Sequence, residues 1–115
     1  MKHYALIFRS TRTLTAEEVK QRHVEISSWV ERVTDMGITL DPRNFTEVAA
    51  NLSAQQIEIV SREGSSDPTL GTIVFFDSPS AAQAVEIARM HPSLRYGVTV
   101  EVREWTSPRE TAAKQ

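Results

Sequence analysis

A histidine on a predicted amphipathic helix is the first candidate for chemistry. The pattern of residues 15–36 predicts this helix. On a helical projection with about 100° per residue, His23 lies about 40° from Val19 and about 20° from Val30, inside the apolar stripe of the helix. An imidazole between a helix and a sheet could act as a general acid or base, because burial keeps it neutral near pH 7. Asp41, which follows the helix, could orient the ring. The alternative is a partly buried histidine whose ring nitrogens are bound by the backbone or by neighbouring side chains.

Charged residues of two predicted strands could bind an anionic ligand. Glu101 and Arg103 alternate with valines in the last strand and therefore share one face. Arg103 could hold a carboxylate through its two-pronged guanidinium group, and Arg9 at the end of the first strand is a similar candidate. Trp29, at the edge of the helix stripe, could roof a pocket. Ion pairing between strands or at an interface, and ordinary aromatic packing, are the alternatives.

The composition indicates neither a metal nor an organic cofactor. The chain has no cysteine, and its three histidines show none of the regular spacings of metal sites. His91 precedes Pro92 at a predicted helix end, where an imidazolium would interact favourably with the helix dipole. Sequence motifs that bind dinucleotides or cradle phosphates are also missing, so we expect no metal and no cofactor.

Charge and hydropathy exclude two classes of partner. The 13 basic and 15 acidic residues give a net charge of −2, and the arginines are dispersed rather than clustered, which argues against nucleic acid. No apolar run approaches the roughly 20 residues of a membrane span, and the first residues lack the apolar core of a signal peptide. We therefore expect a cytoplasmic protein that binds neither a membrane nor nucleic acid.

The order of predicted elements is β-α-β-β-α-β, the split βαβ arrangement of ferredoxin-like folds. A capping box at residues 15–18 begins the first helix, and Gly37 ends it. Residues 41–44 have the composition of a turn, whereas Ser78 and Pro79 predict the start of the second helix. The strands are expected at residues 3–9, 57–62, 71–77 and 96–105, with the second and third forming a hairpin around EGSSDP.

Two strands are apolar on both faces, which predicts self-association. Two helices cover only one face of a four-stranded sheet, yet HYALIFR and TIVFFD place apolar side chains on both. Because no segment remains to cover the second face, we expect two copies of this α+β sandwich to pair through their sheets as a homodimeric α+β barrel. Residues 1–106 would form this single domain, with residues 107–115 as a flexible C-terminal tail.

Three segments carry a family likeness. They are TAEEVKQR at the first helix, WVERVTDMGITLDPRNF across its end, and SAAQAVEIARMHPSLRYGVTVEVREW near the C-terminus. Together they extend the likeness over nearly all of residues 1–105, and they resemble the YCII-related family, particularly its DGPF-type branch. The DGPF motif itself is replaced here by REGSSDP.

The resemblance implies a fold and a range of activities. The family is known for the dimeric α+β barrel, and some members are small-molecule lyases or dehydrochlorinases that use a histidine and an aspartate in a cleft. The position of that histidine corresponds to Ile26 in this chain, and His23 lies about one helical turn earlier.

The sequence is therefore consistent with two functions. In the first, the protein binds a small anionic or carboxylated molecule, or a regulatory protein, with the small-molecule site in a cleft between the first helix and the sheet. In the second, it is a lyase or isomerase resembling the dehydrochlorinases, with His23 as the general acid or base, Asp41 as its orienting partner and Arg103 or Arg9 holding an anion.

Overall fold

The protein combines strands and helices in a computed structural model that describes residues 1–46, 50, 52–55, 58–61 and 69–109. The fold class is α+β. In chain order the elements are β1 (Lys2–Ser10), α1 (Ala16–Asp35), β2 (Asp41–Asn44), β3 (Leu52–Gln55), β4 (Glu58–Ser61), β5 (Leu70–Ser78), α2 (Ala81–Arg89), a 3-10 helix (Pro92–Tyr96) and β6 (Val98–Trp105). Residues 110–115 of the predicted tail lie outside the described residues.

Local signals set the ends of the helices. The predicted capping box is confirmed, because the Glu18 amide donates to the Thr15 hydroxyl and the Thr15 amide donates to the Glu18 carboxylate, each at 3.1 Å. Gly37, with φ of 85°, takes the left-handed conformation that ends α1. The cap of α2 is Ser80 rather than Ser78, which is the last residue of β5. Among the described residues, no helix is long and apolar enough to cross a membrane.

The main sheet has the order β2-β5-β1-β6, and every neighbouring pair is antiparallel. Each βαβ unit therefore has its two strands separated by a third, a topology compatible with the predicted ferredoxin-like fold. In the centre of the sheet Leu6 lies opposite Val74 on one side and Val102 on the other. This register sets which side chains face the helices.

One predicted turn and one predicted strand pairing are wrong. The segment Asp41–Asn44, predicted as a turn, is the edge strand β2 and pairs with β5. An edge position tolerates Pro42 because only one side of the strand must pair. Strand β4, which falls in the predicted strand 57–62, pairs with β3 instead of forming a hairpin with β5. Ile57, Arg62 and the EGSSDP segment lie outside the described residues.

The two faces of the sheet have different surroundings. Tyr4, Leu6 and Phe8 of β1 are buried on the face that both helices cover, in a core completed by Trp29 and Val33 of α1 and by residues of α2 and β5. The opposite face, called the open face below, carries the half-buried Ile7 of β1 and Ile73 and Phe75 of β5. The prediction that β1 and β5 are apolar on both faces is confirmed.

One buried hydroxyl in this core has no hydrogen-bond partner. Tyr4 is 1% exposed, and its hydroxyl is the one such side-chain atom among the described residues. Because an unpaired buried polar group is destabilising, we expect Tyr4→Phe to raise the free energy of unfolding by about 1 kcal/mol in urea titrations. Tyr96→Phe is the control, since the Tyr96 hydroxyl donates to Glu25 at 3.0 Å and its removal should not stabilise the protein. A loss of stability in Tyr4→Phe would contradict this assignment.

Candidate functional site

A cavity of about 520 Å³ lies between α1 and one end of the main sheet. This volume is within the range of small-molecule sites. Most of its wall is apolar, and among the described residues the aliphatic and aromatic lining consists of Phe8, Ile26, Trp29, Val30, Leu40, Pro42, Val74 and Val98. The cavity is therefore suited to an apolar body, and the few polar groups in its wall decide what else it can bind.

The strand ends and one line of α1 residues build this cavity. Strands β1 and β2 end where the antiparallel β5 and β6 begin, so Ser10, Asn44 and Thr72 meet at one end of the sheet. Thr72 donates from its hydroxyl to the Asn44 side-chain oxygen at 2.9 Å. From α1, Arg22 and Ile26 enter the lining at helical spacing with the Trp29 indole.

Arg22 is the charged side chain among the described residues of the cavity wall. Its side chain is half-buried, and it makes no ion pair or hydrogen bond with any described residue. The arginines around it differ in this respect, since Arg12 pairs with Glu18 and Arg95 pairs with Glu25, each at 2.8 Å. A guanidinium facing a largely apolar cavity without a carboxylate is therefore available to bind an anion.

His91 is buried beside Arg22 and is neutral. The side chain is 6% exposed, with its ring centroid 4.6 Å from that of Phe8 and 4.5 Å from that of Trp29. Burial, together with the positive charge of Arg22, lowers the pKa of His91 to about 4. The prediction of an imidazolium at the end of α2 is therefore wrong: His91 caps the following 3-10 helix as a neutral acceptor, with Nδ1 receiving the Ser93 amide hydrogen at 3.0 Å.

Trp29 is the one sequence-predicted site residue that lines the cavity. Its indole is 4% exposed and donates from Nε1 to the Ile87 carbonyl oxygen at 3.0 Å, which fixes α1 against α2. The residue therefore belongs both to the wall of the cavity and to the hydrophobic core.

The structure does not bring His23 and Asp41 together. The expectation that His23 lies inside the buried stripe of α1 is wrong, because its side chain is exposed and outside the cavity lining. Asp41 lies opposite Phe75 in the sheet and accepts from Arg43 at 3.1 Å, which places it on the open face. The sheet thus separates Asp41 from the helix that carries His23.

The predicted anion-binding residues of the strands also lie on the open face. Glu101 is 3.0 Å from Arg103 Nε and 3.8 Å from Arg9 Nη1. These contacts correspond to the cross-strand ion pairing considered as the alternative from sequence. Arg9, Glu101 and Arg103 are therefore on the opposite side of the sheet from the cavity.

Sequence reasoning missed the two polar residues that matter most for the cavity. Arg22 could have been found by assuming that Trp29 marks the buried face of the helix. Arg22, Ile26 and Val33 lie three or four residues apart on the same face as Trp29. The sequence signal for His91 was weaker: the residue directly precedes Pro92, and a proline favours the first position of a helix, which makes the residue before it a candidate N-cap. Within the described part of the chain, no group of three or more potential metal ligands is present. No protein-family model and no curated protein matches the chain.

Proposed function

We propose that this protein binds a small carboxylate with an apolar body in the cavity between α1 and the sheet. The observation that carries the proposal is the half-buried Arg22, which faces this cavity without a carboxylate partner among the described residues. Carboxylates match the planar fork of a guanidinium, and a charge-assisted bond in a partly desolvated site is stronger than one in water. The anion anchor is thus Arg22 of the helix rather than Arg103 or Arg9 of the strands.

The other residues of the cavity limit the charge of its ligand. Arg22 is the one cationic side chain among the described residues of the lining, since His91 is neutral. A ligand with a single negative charge would be balanced, whereas a polyphosphate would bring charges that no second cation of the described lining neutralises. The apolar wall formed by Ile26, Trp29 and Leu40 favours a hydrocarbon body behind the carboxylate.

Removing the Arg22 charge should abolish most of this binding. We expect 4-methylpentanoate to raise the melting temperature of the protein, and the uncharged 4-methylpentanamide to leave it unchanged. In Arg22→Gln the dissociation constant of the carboxylate should rise at least about tenfold, because a hydrogen bond to a charged group contributes about 1.5–3 kcal/mol.

Arg103→Gln is the matched control for this experiment. It removes an arginine from the open face and should leave the dissociation constant as it is in the unaltered protein. Thermal shift and calorimetric titration of the three proteins give both quantities. Binding that survives Arg22→Gln but is lost in Arg103→Gln would place the anion site on the open face and overturn the proposal.

We also propose that the open face is covered by a second copy of the chain, as in the dimeric barrels of the YCII-related family that the sequence resembles. Ile7, Ile73 and Phe75 supply an apolar centre. The arginines and carboxylates of this face balance in formal charge and pair within it: Arg43 with Asp41, Arg9 and Arg103 with Glu101, and His3 with Asp77. Two such faces can approach without net repulsion.

The area of the open face corresponds to a small interface. Three strands of about eight residues and the four-residue β2, spaced about 4.8 Å apart, present roughly 440 Å² per copy, or about 900 Å² in a dimer, which is smaller than the roughly 1,200 Å² at which standard specific interfaces begin. A dimer of this kind would leave the cavity accessible, because the cavity lies on the helix side of the sheet.

A charge in the centre of the open face should prevent this pairing. We expect light scattering to give twice the chain mass of 12.9 kDa for the unaltered protein and the chain mass itself for Ile7→Asp, because an unpaired carboxylate is costly to bury. Val24→Asp, at a site on α1 that is 63% exposed, should remain dimeric. A folded monomer for the unaltered chain at micromolar concentration would contradict the dimer.

A further inference from the structure

The position of the hydrogen on the His91 ring is fixed by the backbone. Because Nδ1 accepts the Ser93 amide hydrogen at 3.0 Å, the neutral ring carries its own hydrogen on Nε2. Nε2 has no hydrogen-bond partner among the described residues, although the residue is 6% exposed. Nε2 is not among the fully buried atoms without a partner, so it keeps some exposed surface, and because the ring borders the cavity this donor is available to the space in which the carboxylate is proposed to bind.

Arg22 and His91 are two different donors that one small ligand can reach together. Arg22 is near enough for its charge to lower the pKa of His91, and both side chains line the same cavity. The guanidinium suits a charged carboxylate, whereas the imidazole N–H offers one hydrogen bond to a neutral oxygen. Neither group can accept a hydrogen bond through the atoms that face the ligand.

From this pair we infer that the ligand is a 2-oxo acid with an apolar side chain, its carboxylate on Arg22 and its 2-oxo oxygen accepting from His91 Nε2. This inference rests on the proposed function and names the ligand class of the same site. A carbonyl oxygen is an acceptor only, so it matches two donors. A 2-hydroxy acid would bring a hydrogen that finds no acceptor on Arg22 or His91, and a 2-amino acid would place an ammonium group beside the guanidinium.

The apolar side chain of such an acid has a defined place. Ile26 and Trp29 of α1 lie across the cavity from Val74 of β5, and these groups would enclose a branched or aromatic substituent. An acid without a substituent, such as 2-oxopropanoate, would keep the polar contacts and lose the apolar ones. It should therefore bind more weakly than its branched homologue.

Two acids with the same carbon skeleton test the role of the 2-oxo group. On the unaltered protein we expect 4-methyl-2-oxopentanoate to bind about 3- to 10-fold more tightly than 4-methylpentanoate, the effect of one additional hydrogen bond. The 2-hydroxy analogue should show less of this advantage, and leucine should show none. These measurements need no variant, so they do not depend on any substitution being tolerated.

His91→Asn tests the donor itself. Asparagine can still accept the Ser93 amide hydrogen as an N-cap residue, but its shorter side chain does not reach the position of Nε2. We expect this variant to bind the two acids with equal affinity, while Arg22→Gln weakens both.

The outcomes separate this inference from the proposed function. If 4-methylpentanoate and 4-methyl-2-oxopentanoate bind the unaltered protein equally and both depend on Arg22, the carboxylate site stands and the 2-oxo assignment is wrong. If the preference for the oxo acid survives in His91→Asn, His91 is not the donor and the inference is overturned. If neither acid binds, the proposed function fails as well.

Discussion

Trp29→Ala should lower the free energy of unfolding by about 3–5 kcal/mol, the range found when a buried aromatic side chain is truncated. The indole is 4% exposed and packs in the core between α1 and the sheet. Its removal would leave a void, expose the buried edge of His91 and leave the Ile87 carbonyl oxygen without its 3.0 Å donor. Because small domains are only marginally stable, a change of this size would leave little folded protein under mild denaturing conditions.

Urea unfolding followed by circular dichroism measures this effect without relying on the fluorescence of the indole that is removed. Trp29→Phe should lose less stability, since it keeps an aromatic body and loses the hydrogen bond to Ile87. Val24→Ala, at a position 63% exposed on the same helix, should change the free energy of unfolding by no more than about 0.5 kcal/mol. A similarly small change in Trp29→Ala would show that the indole is not part of the core.

Acidification should destabilise the protein through His91 before the carboxylates titrate. Burial and the charge of Arg22 lower the pKa of this imidazole from 6.5 to about 4 in the folded chain, so between these values the unfolded chain binds more protons. The stability contributed by the neutral ring is complete above pH 6.5 and is lost as the pH falls towards 4. A shift of this size corresponds to roughly 3 kcal/mol.

The pH window distinguishes His91 from the acidic residues. Hydrogen bonds from Arg12 and the Thr15 backbone lower the pKa of Glu18 to about 2, so its contribution is lost only below pH 4.5. Urea titrations between pH 7 and pH 4.5 should show a falling free energy of unfolding in the unaltered protein and a flat one in His91→Asn. His23→Asn, which replaces an exposed histidine, should keep the full slope. A slope that persists in His91→Asn would assign the effect to another group.

The elements that could be predicted from sequence are those with a strong local signal. Strands β1 and β5 follow from short runs of aromatic and β-branched residues that are apolar on both faces, β6 follows from alternation, and α1 follows from its capping box. The short strand β2 could not be predicted in this way, because Asp41 and Pro42 favour turns when considered locally. Its conformation is set by pairing with β5, a contact that joins residues far apart in the chain.

The candidate cavity could be placed from sequence but its key residues could not. The hypothesis of a cleft between the first helix and the sheet agrees with the position of the cavity, yet the helix is rotated by about 40° from the predicted orientation. Val19 and Val30 are 45% and 41% exposed, while Trp29 and Val33 are buried. A large indole thus outweighs two valines in deciding which face is buried, and the rotation brings Arg22 inward and leaves His23 exposed.

The connection between β2 and β5 is a place where this fold tolerates insertions. Asn44 and Thr72 are directly paired, so the chain leaves and re-enters the sheet at neighbouring points, and β3 and β4 between them pair with each other rather than with the main sheet. Closing a loop of about 25 residues instead of a turn of about four costs only roughly 1.5 kcal/mol in chain entropy. Segments of other lengths could therefore join these two strands at little cost. Because Asn44 and Thr72 at its two ends line the cavity, evolution or design could vary the length of that segment while Arg22, Trp29 and His91 keep their places.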